Sequence, residues 1–214
     1  MRKISQITIL ILLFCGLFVS RASAQFGIIA GANISNVQHN NLLLDEKEIP
    51  NNRPLFGYFT GLSCQFYPLK SAENVSFTLE LLMSQKGYKQ KFANTTFVKR
   101  MNYITLPVMA NYDVNKKISI HGGLEFAGWM RSPKLFKEAD NTYNDFDLSV
   151  LLGAGYNFRK NWHIFSRLNY GLLPTLNYYK IDEIGNITPV KDIRNINLMI
   201  GIKFNFIYEK IKFF

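Results

Sequence analysis

Read in steps of two, the chain beyond its first two dozen residues divides into eight segments in which apolar and polar positions alternate: roughly Phe26–Ser35, Gly57–Tyr67, Val75–Tyr88, Met101–Asp113, Ile118–Arg131, Phe146–Phe158, Trp162–Leu173 and Asn195–Tyr208. The last is the clearest. Ile196, Leu198, Ile200, Ile202, Phe204, Phe206 and Tyr208 fall on one face, with Asn195, Asn197, Met199, Gly201, Lys203 and Asn205 on the other. Phe77, Leu79, Leu81 and Met83 oppose Thr78, Glu80, Ser84 and Lys86 in the same way. A period of two sustained over this many residues is a strand signal, because successive side chains of a strand point to opposite faces. Each segment reaches or exceeds the ~9–11 residues that a tilted strand needs to cross a bilayer.

Alternation alone does not say which face is inside. Two features choose the arrangement with the apolar face outward. The polar face is rich in Gly, Asn, Ser and single charges, which suits a narrow, crowded interior. The aromatics of the apolar face gather at segment ends: Phe66, Phe77, Tyr112, Tyr156, Phe158, Trp162, Phe206 and Tyr208. Rings bordering an apolar band are expected where a barrel meets the two membrane interfaces. Connection lengths agree. Pro68–Asn74, Val114–Lys117 and Arg159–Asn161 are short, while about Asn36–Phe56, Lys89–Arg100, Ser132–Asp145 and Pro174–Arg194 are long. Short periplasmic turns alternating with long outer loops place both termini on the periplasmic side. The fold class expected is therefore all-β: an eight-stranded antiparallel up-and-down transmembrane β-barrel, occupying residues 25–214.

Residues 1–24 read as a cleavable signal peptide. Arg2 and Lys3 precede an apolar run from Ile7 to Val19, and Ala22-Ser23-Ala24 supplies small residues for cleavage before Gln25. The run is shorter than the ~20 residues of a membrane-spanning helix. Phe14 before Cys15 is too bulky for a lipoprotein site. Removing Arg2, Lys3 and Arg21 from the 25 basic residues leaves 22 against 15 acidic, a balance of +7. That balance favours phosphate-bearing partners such as lipid headgroups, and export argues against nucleic acid. One cysteine, Cys64, remains after cleavage, so no intrachain disulfide is expected.

Several segments resemble the PorT-like outer-membrane β-barrel family. They are F-T-L-E-L-L-M-S-Q-K-G-Y-K from Phe77 to Lys89, N-Y-I-T-L-P-V-M-A-N-Y from Asn102 to Tyr112, D-F-D-L-S-V-L-L-G-A-G-Y from Asp145 to Tyr156, and R-L-N-Y-G-L from Arg167 to Leu172. The resemblance spans nearly all of the chain after the signal. It implies an eight-stranded barrel of mostly unassigned role. One namesake takes part in protein secretion, a role that barrel-building motifs do not carry over by themselves.

The expected interior holds Glu80, Lys86, His121, Glu125, Arg131, Asp147, Arg167 and Lys203. Buried charges are expensive unless paired, so these are read as an ion-paired plug, with Glu80 and Lys86 partnered on neighbouring strands. Eight strands leave room for side chains but not for an aqueous channel. Ser119, His121 and Glu125 share a face, yet same-face neighbours lie ~7 Å apart along a strand, beyond hydrogen-bond reach of a nucleophile. His39 and His163 stand alone, so neither a metal cluster nor a cofactor is expected. The sequence thus points to a non-enzymatic barrel with a structural, binding or envelope and secretion-accessory role. A small transport barrel or a lipid-modifying enzyme stays open beside it. The second long connection, with Lys89, Lys91, Lys99 and Arg100, is a basic outer loop suited to lipopolysaccharide phosphates or a protein partner. Outer-membrane lipid, the barrel-insertion machinery and an envelope protein are the other partners expected.

Overall fold

The computed structural model describes residues 23–39, 52–67, 74–92, 95–130, 144–174, 178–181, 187–190 and 193–206. The eight barrel strands are β1 (Ser23–His39), β2 (Asn52–Tyr67), β3 (Val75–Phe92), β4 (Thr95–Asp113), β5 (Ile118–Trp129), β6 (Phe146–Arg159), β7 (Trp162–Gly171) and β10 (Ile193–Asn205). They close in the order β1-β10-β7-β6-β5-β4-β3-β2. Every neighbouring pair is antiparallel. Closure is made by β1 against β10, in register from Gly27↔Asn205 to His39↔Ile193. Full closure satisfies the backbone groups within the sheet, the condition for a wall of strands to stand in lipid.

The alternation read from the sequence puts its apolar face outward. Leu62, Met83, Ile120, Leu152 and Ile200 are all exposed, whereas Ser63, Ser84, Ser119 and Met199 beside them are buried. A wall this apolar and this exposed is a wall covered by lipid. On its outer surface the band ends abruptly above the Met83↔Ile104 pair: next come Gln85, Asn102 and Arg100. Arg100 donates to Gln85 Oε1 at 2.8 Å and to the Phe56 carbonyl at 3.3 Å, and Gln85 donates to Asn102 Oδ1 at 3.3 Å. The aromatics named from the sequence do not form two girdles. The seven that are described all lie at the turn end, with stacking at Phe66–Phe77 and contacts along Phe158–Trp162–Phe204–Phe206. Tyr208 lies outside the described residues. The opposite rim is bordered by Phe56, Tyr58, Phe97 and Phe146; Phe56 and Phe97 fell outside the expected segments because β2 and β4 begin earlier than the alternation indicated.

Strands β1 to β4 are 16 to 19 residues long, against 10 to 14 for the other four barrel strands. The expected loop from Lys89 to Arg100 is therefore mostly strand: β3 and β4 stay paired up to Phe92↔Thr95. Among the described residues β4 pairs with β5 only from Tyr103 downward, so Thr95–Asn102 extends beyond the described part of β5. Within the long connection after β7, Tyr178–Ile181 (β8) and Ile187–Val190 (β9) form a separate antiparallel hairpin. At the other end the turn of residues 114–117 is closed by Asn115, whose Oδ1 accepts from the backbone N–H groups of Lys117 and Ile118 at 2.8 Å each. An Asn side chain substituting for a backbone acceptor in this way is a standard turn device. β10 ends at Asn205, and the Phe206 N–H bonds the Phe26 carbonyl at 2.8 Å, near the expected end of the membrane strand.

Candidate functional site

The lumen is occupied by inward side chains in layers. The middle layer is apolar: Ile29, Phe59, Leu82, Phe165 and Met199 pack together, each at most 2% exposed. Phe59 and Phe165 meet with ring centroids 6.0 Å apart. They fit because β1 and β10 carry glycine opposite them. A Cβ at Gly31 would strike the Phe59 ring, and one at Gly201 would strike both rings. The sequence reading missed this layer, although Phe59 lies in phase with Gly57, Gly61 and Ser63, and Phe165 with His163 and Arg167.

Charges fill the rest. Arg167 on β7 clamps Glu80 on β3 through two hydrogen bonds, 2.6 Å from Nη1 to Oε2 and 3.1 Å from Nη2 to Oε1. The guanidinium also covers the Phe165 ring at 4.1 Å. Since β3 and β7 lie four places apart in the ring of eight, this pair spans the lumen. Lys86 on β3 meets Glu125 on β5 at 2.6 Å, with both side chains 1% exposed. Glu125 Oε2 accepts from Asn169 at 2.9 Å, and Lys86 Nζ lies 5.4 Å from the Tyr103 ring centroid. Pairing on neighbouring strands is thus corrected. Inward side chains of such a narrow barrel converge on its axis, so a partner two or four strands away is within reach. Asp147, 3% exposed, accepts from Asn195 at 2.8 Å, and Lys203 donates to Gln65 Oε1 at 3.1 Å. Amide partners were not foreseen, because Asn and Gln carry no formal charge to mark them. Arg131 lies outside the described residues.

At the β2–β3 register break between Pro54 and Phe59, polar groups close a local gap. Ser35 Oγ accepts from Gly87 N–H at 2.8 Å and lies 2.9 Å from the Gly87 carbonyl. Asn33 donates to Ser84 Oγ at 3.2 Å. Ser119, His121 and Glu125 do not assemble into a nucleophilic site. His121 Nε2 has no hydrogen-bond partner, and Glu125 is engaged by Lys86 and Asn169. His163 Nδ1 lies 2.8 Å from Asn157 Oδ1. Among the described residues no group of three or more His, Cys, Asp or Glu could hold a metal ion.

The basic outer residues sit on the raised β3–β4 hairpin. Lys99 covers the Trp129 ring at 5.5 Å, Arg100 is exposed at the rim of the apolar band, and Lys89 is half-buried. The Lys91 side chain, like Asn94 and Asn186, lies outside the described residues.

Three solved outer-membrane proteins are similar in fold. Ail of Yersinia pestis is 13% identical, covering 86% of this chain and 99% of its own, with a TM-score of 0.46. Neisserial surface protein A is 17% identical over 86% and 99%, with a TM-score of 0.46. Outer membrane protein W of E. coli is 16% identical over 85% and 98%, with a TM-score of 0.42. No curated protein matches the chain. The family model described as outer membrane protein beta-barrel domain matches residues 20–177, most of the chain. With a closed eight-stranded wall, an apolar outer face and that match, the chain belongs to the outer membrane protein beta-barrel domain family and is an integral outer-membrane protein.

Proposed function

We propose that this barrel is a non-enzymatic, sealed outer-membrane protein with a structural or binding role, acting through its outer rim as an accessory of an envelope or secretion assembly. The observation that carries the reading is the Glu80–Arg167 clamp across the lumen beside the fully buried Phe59–Phe165 layer. A solute passing end to end would have to break a buried bidentate pair and displace five packed side chains. Either change is costly in a low-dielectric interior.

In this reading the short turns and both termini face the periplasm, and the raised β3–β4 hairpin faces outward. Arg100 at the edge of the apolar band, with Arg53 and Lys89 near the same rim, would meet lipopolysaccharide phosphates or an acidic partner. An arginine at this depth keeps its guanidinium at headgroup level while its stem lies along the apolar band.

The decisive test is conductance of the purified barrel in a planar bilayer. No steady ion conductance is expected, and a reproducible open level would move the assignment to transport. Topology is tested separately: Asn94→Cys should react on whole cells with a membrane-impermeant reagent, and Lys116→Cys only after the envelope is opened. Crosslinking in the native envelope followed by mass spectrometry should then recover a protein neighbour.

A further inference from the structure

Below the Phe59–Phe165 layer the lumen changes character. It widens into a bowl of about 620 Å³ open at the turn end, and eight of its seventeen lining residues are Asn or Gln. Gln25, Gln65, Asn111 and Asn157 come from four different strands, so the amides surround the space instead of lining one side of it. Lys203 projects into it. That side chain belongs to a residue only 8% exposed, and among the described residues the hydrogen bond it makes is to a neutral amide, Gln65 Oε1, at 3.1 Å. Neither of the close ion pairs among the described residues of the lumen, Lys86–Glu125 and Glu80–Arg167, includes it. An ammonium has three donors, so two remain beyond this bond, and Asp113, the carboxylate lining the same bowl, attracts the charge from beyond salt-bridge distance. Asn205 Oδ1, also lining the bowl, is buried without a hydrogen-bond partner. Lys116 and Lys160 stand at the mouth, against one acidic lining residue, Asp113.

We infer that this bowl is a binding site for a small anionic sugar, with Lys203 as the charge-reading group and the ring of amides reading hydroxyl and acetamido groups. Each carboxamide presents a donor and an acceptor side by side, the complement of a sugar hydroxyl or an acetamido substituent. The buried ammonium supplies what a neutral sugar would not use. Desolvating a cation is offset by a charged acceptor far better than by one amide oxygen. The volume falls within the ~300–1,000 Å³ of sites for small ligands. The apolar layer forms the floor, so a ligand would enter and leave by the same mouth. The inference rests on the orientation proposed above only for the compartment from which the ligand comes. Binding to purified protein does not depend on it, and the labelling experiment tests that orientation independently.

The test is calorimetric titration of the full barrel in detergent micelles with N-acetylmuramic acid, N-acetylglucosamine 6-phosphate, neutral N-acetylglucosamine and the dipeptide alanyl-alanine. At least one of the two acids should bind ten-fold or more tightly than the neutral sugar, and which one does so identifies carboxylate or phosphate as the source of charge. Lys203→Met should remove that preference while the protein keeps its heat-modifiable migration on a gel. If Lys203→Met fails to fold, Lys203→Gln, which keeps a hydrogen bond to Gln65 within reach, carries the same expectation. Equal affinity for acidic and neutral sugars, a preference that survives loss of the lysine charge, absence of binding, or tighter binding of the dipeptide would each overturn the inference.

Discussion

The two halves of the lumen are built from the same inward alternation and end up chemically opposite. Toward the long-strand rim and the middle, the charges of Glu80, Lys86, Glu125 and Arg167 are matched in pairs of opposite sign, and aromatic rings fill much of what remains. Toward the turns, amides dominate and a buried lysine hydrogen-bonds a neutral one. The difference teaches that inward polarity by itself does not mark a functional surface. Among the described residues, what separates plug from bowl is whether a buried charge meets an opposite charge at ion-pair distance, as Arg167 and Lys86 do, or an amide, as Lys203 does.

The sharpest way to break the comparison is to delete one member of each half. Arg167→Met leaves Glu80 charged and buried, and should cost ~3–5 kcal/mol of stability in urea unfolding from micelles. Glu80→Leu combined with Arg167→Met should recover most of that loss, because replacing both members of a buried pair by apolar groups is often neutral. If the single variant were as stable as the parent protein, the clamp would be incidental to the plug. Next comes the wall shared by both halves. Leu152, fully lipid-facing in the middle of β6, should cost ~2–4 kcal/mol when changed to Arg, whereas Tyr112→Arg at the turn-end girdle should cost under ~1 kcal/mol. Equal effects at the two sites, measured as the folded fraction in vesicles, would misplace the apolar band. A smaller effect is expected in the bowl. Lys203→Met should change stability by less than about 1 kcal/mol, since among the described residues the lysine hydrogen-bonds a neutral amide and forms no salt bridge. The smallest is expected beyond the last strand. Deleting Glu209–Phe214 should leave insertion and heat-modifiable migration unchanged, because the ladder already closes at Asn205 and Phe206. Lost insertion would move the end of the membrane strand toward Phe214.

Strand number, closure and the lipid-facing side were legible in the sequence because each rests on a period of two repeated eight times. Partner identity was not. Alternation places Glu80 and Arg167 inside, but their meeting depends on the width of the closed ring, which no local pattern encodes. Strand ends were also hidden on one side. Lys89 to Arg100 is polar enough to read as a loop, yet it continues as strand because β3 and β4 keep each other's backbone groups paired above the membrane. The Phe59–Phe165 layer was hidden differently: aromatics in a barrel sequence draw the eye to the interfaces, and these two sit on the other phase.

The raised part of β4 has a consequence for association. From Thr95 to Asn102 its β5-facing side lies beyond the β4–β5 ladder among the described residues, apart from the bond from Met130 N–H to the Asn102 carbonyl. A row of amides and carbonyls outside the membrane is a template onto which another extended segment can add by strand pairing. Lys99, which covers the Trp129 ring of β5, is the cation on this side, and a lysine is the kind of residue that keeps such an edge from adding copies of itself. Its positive charge would then have a second physical meaning beside attraction to phosphate, favouring an acidic strand at this edge over an identical one.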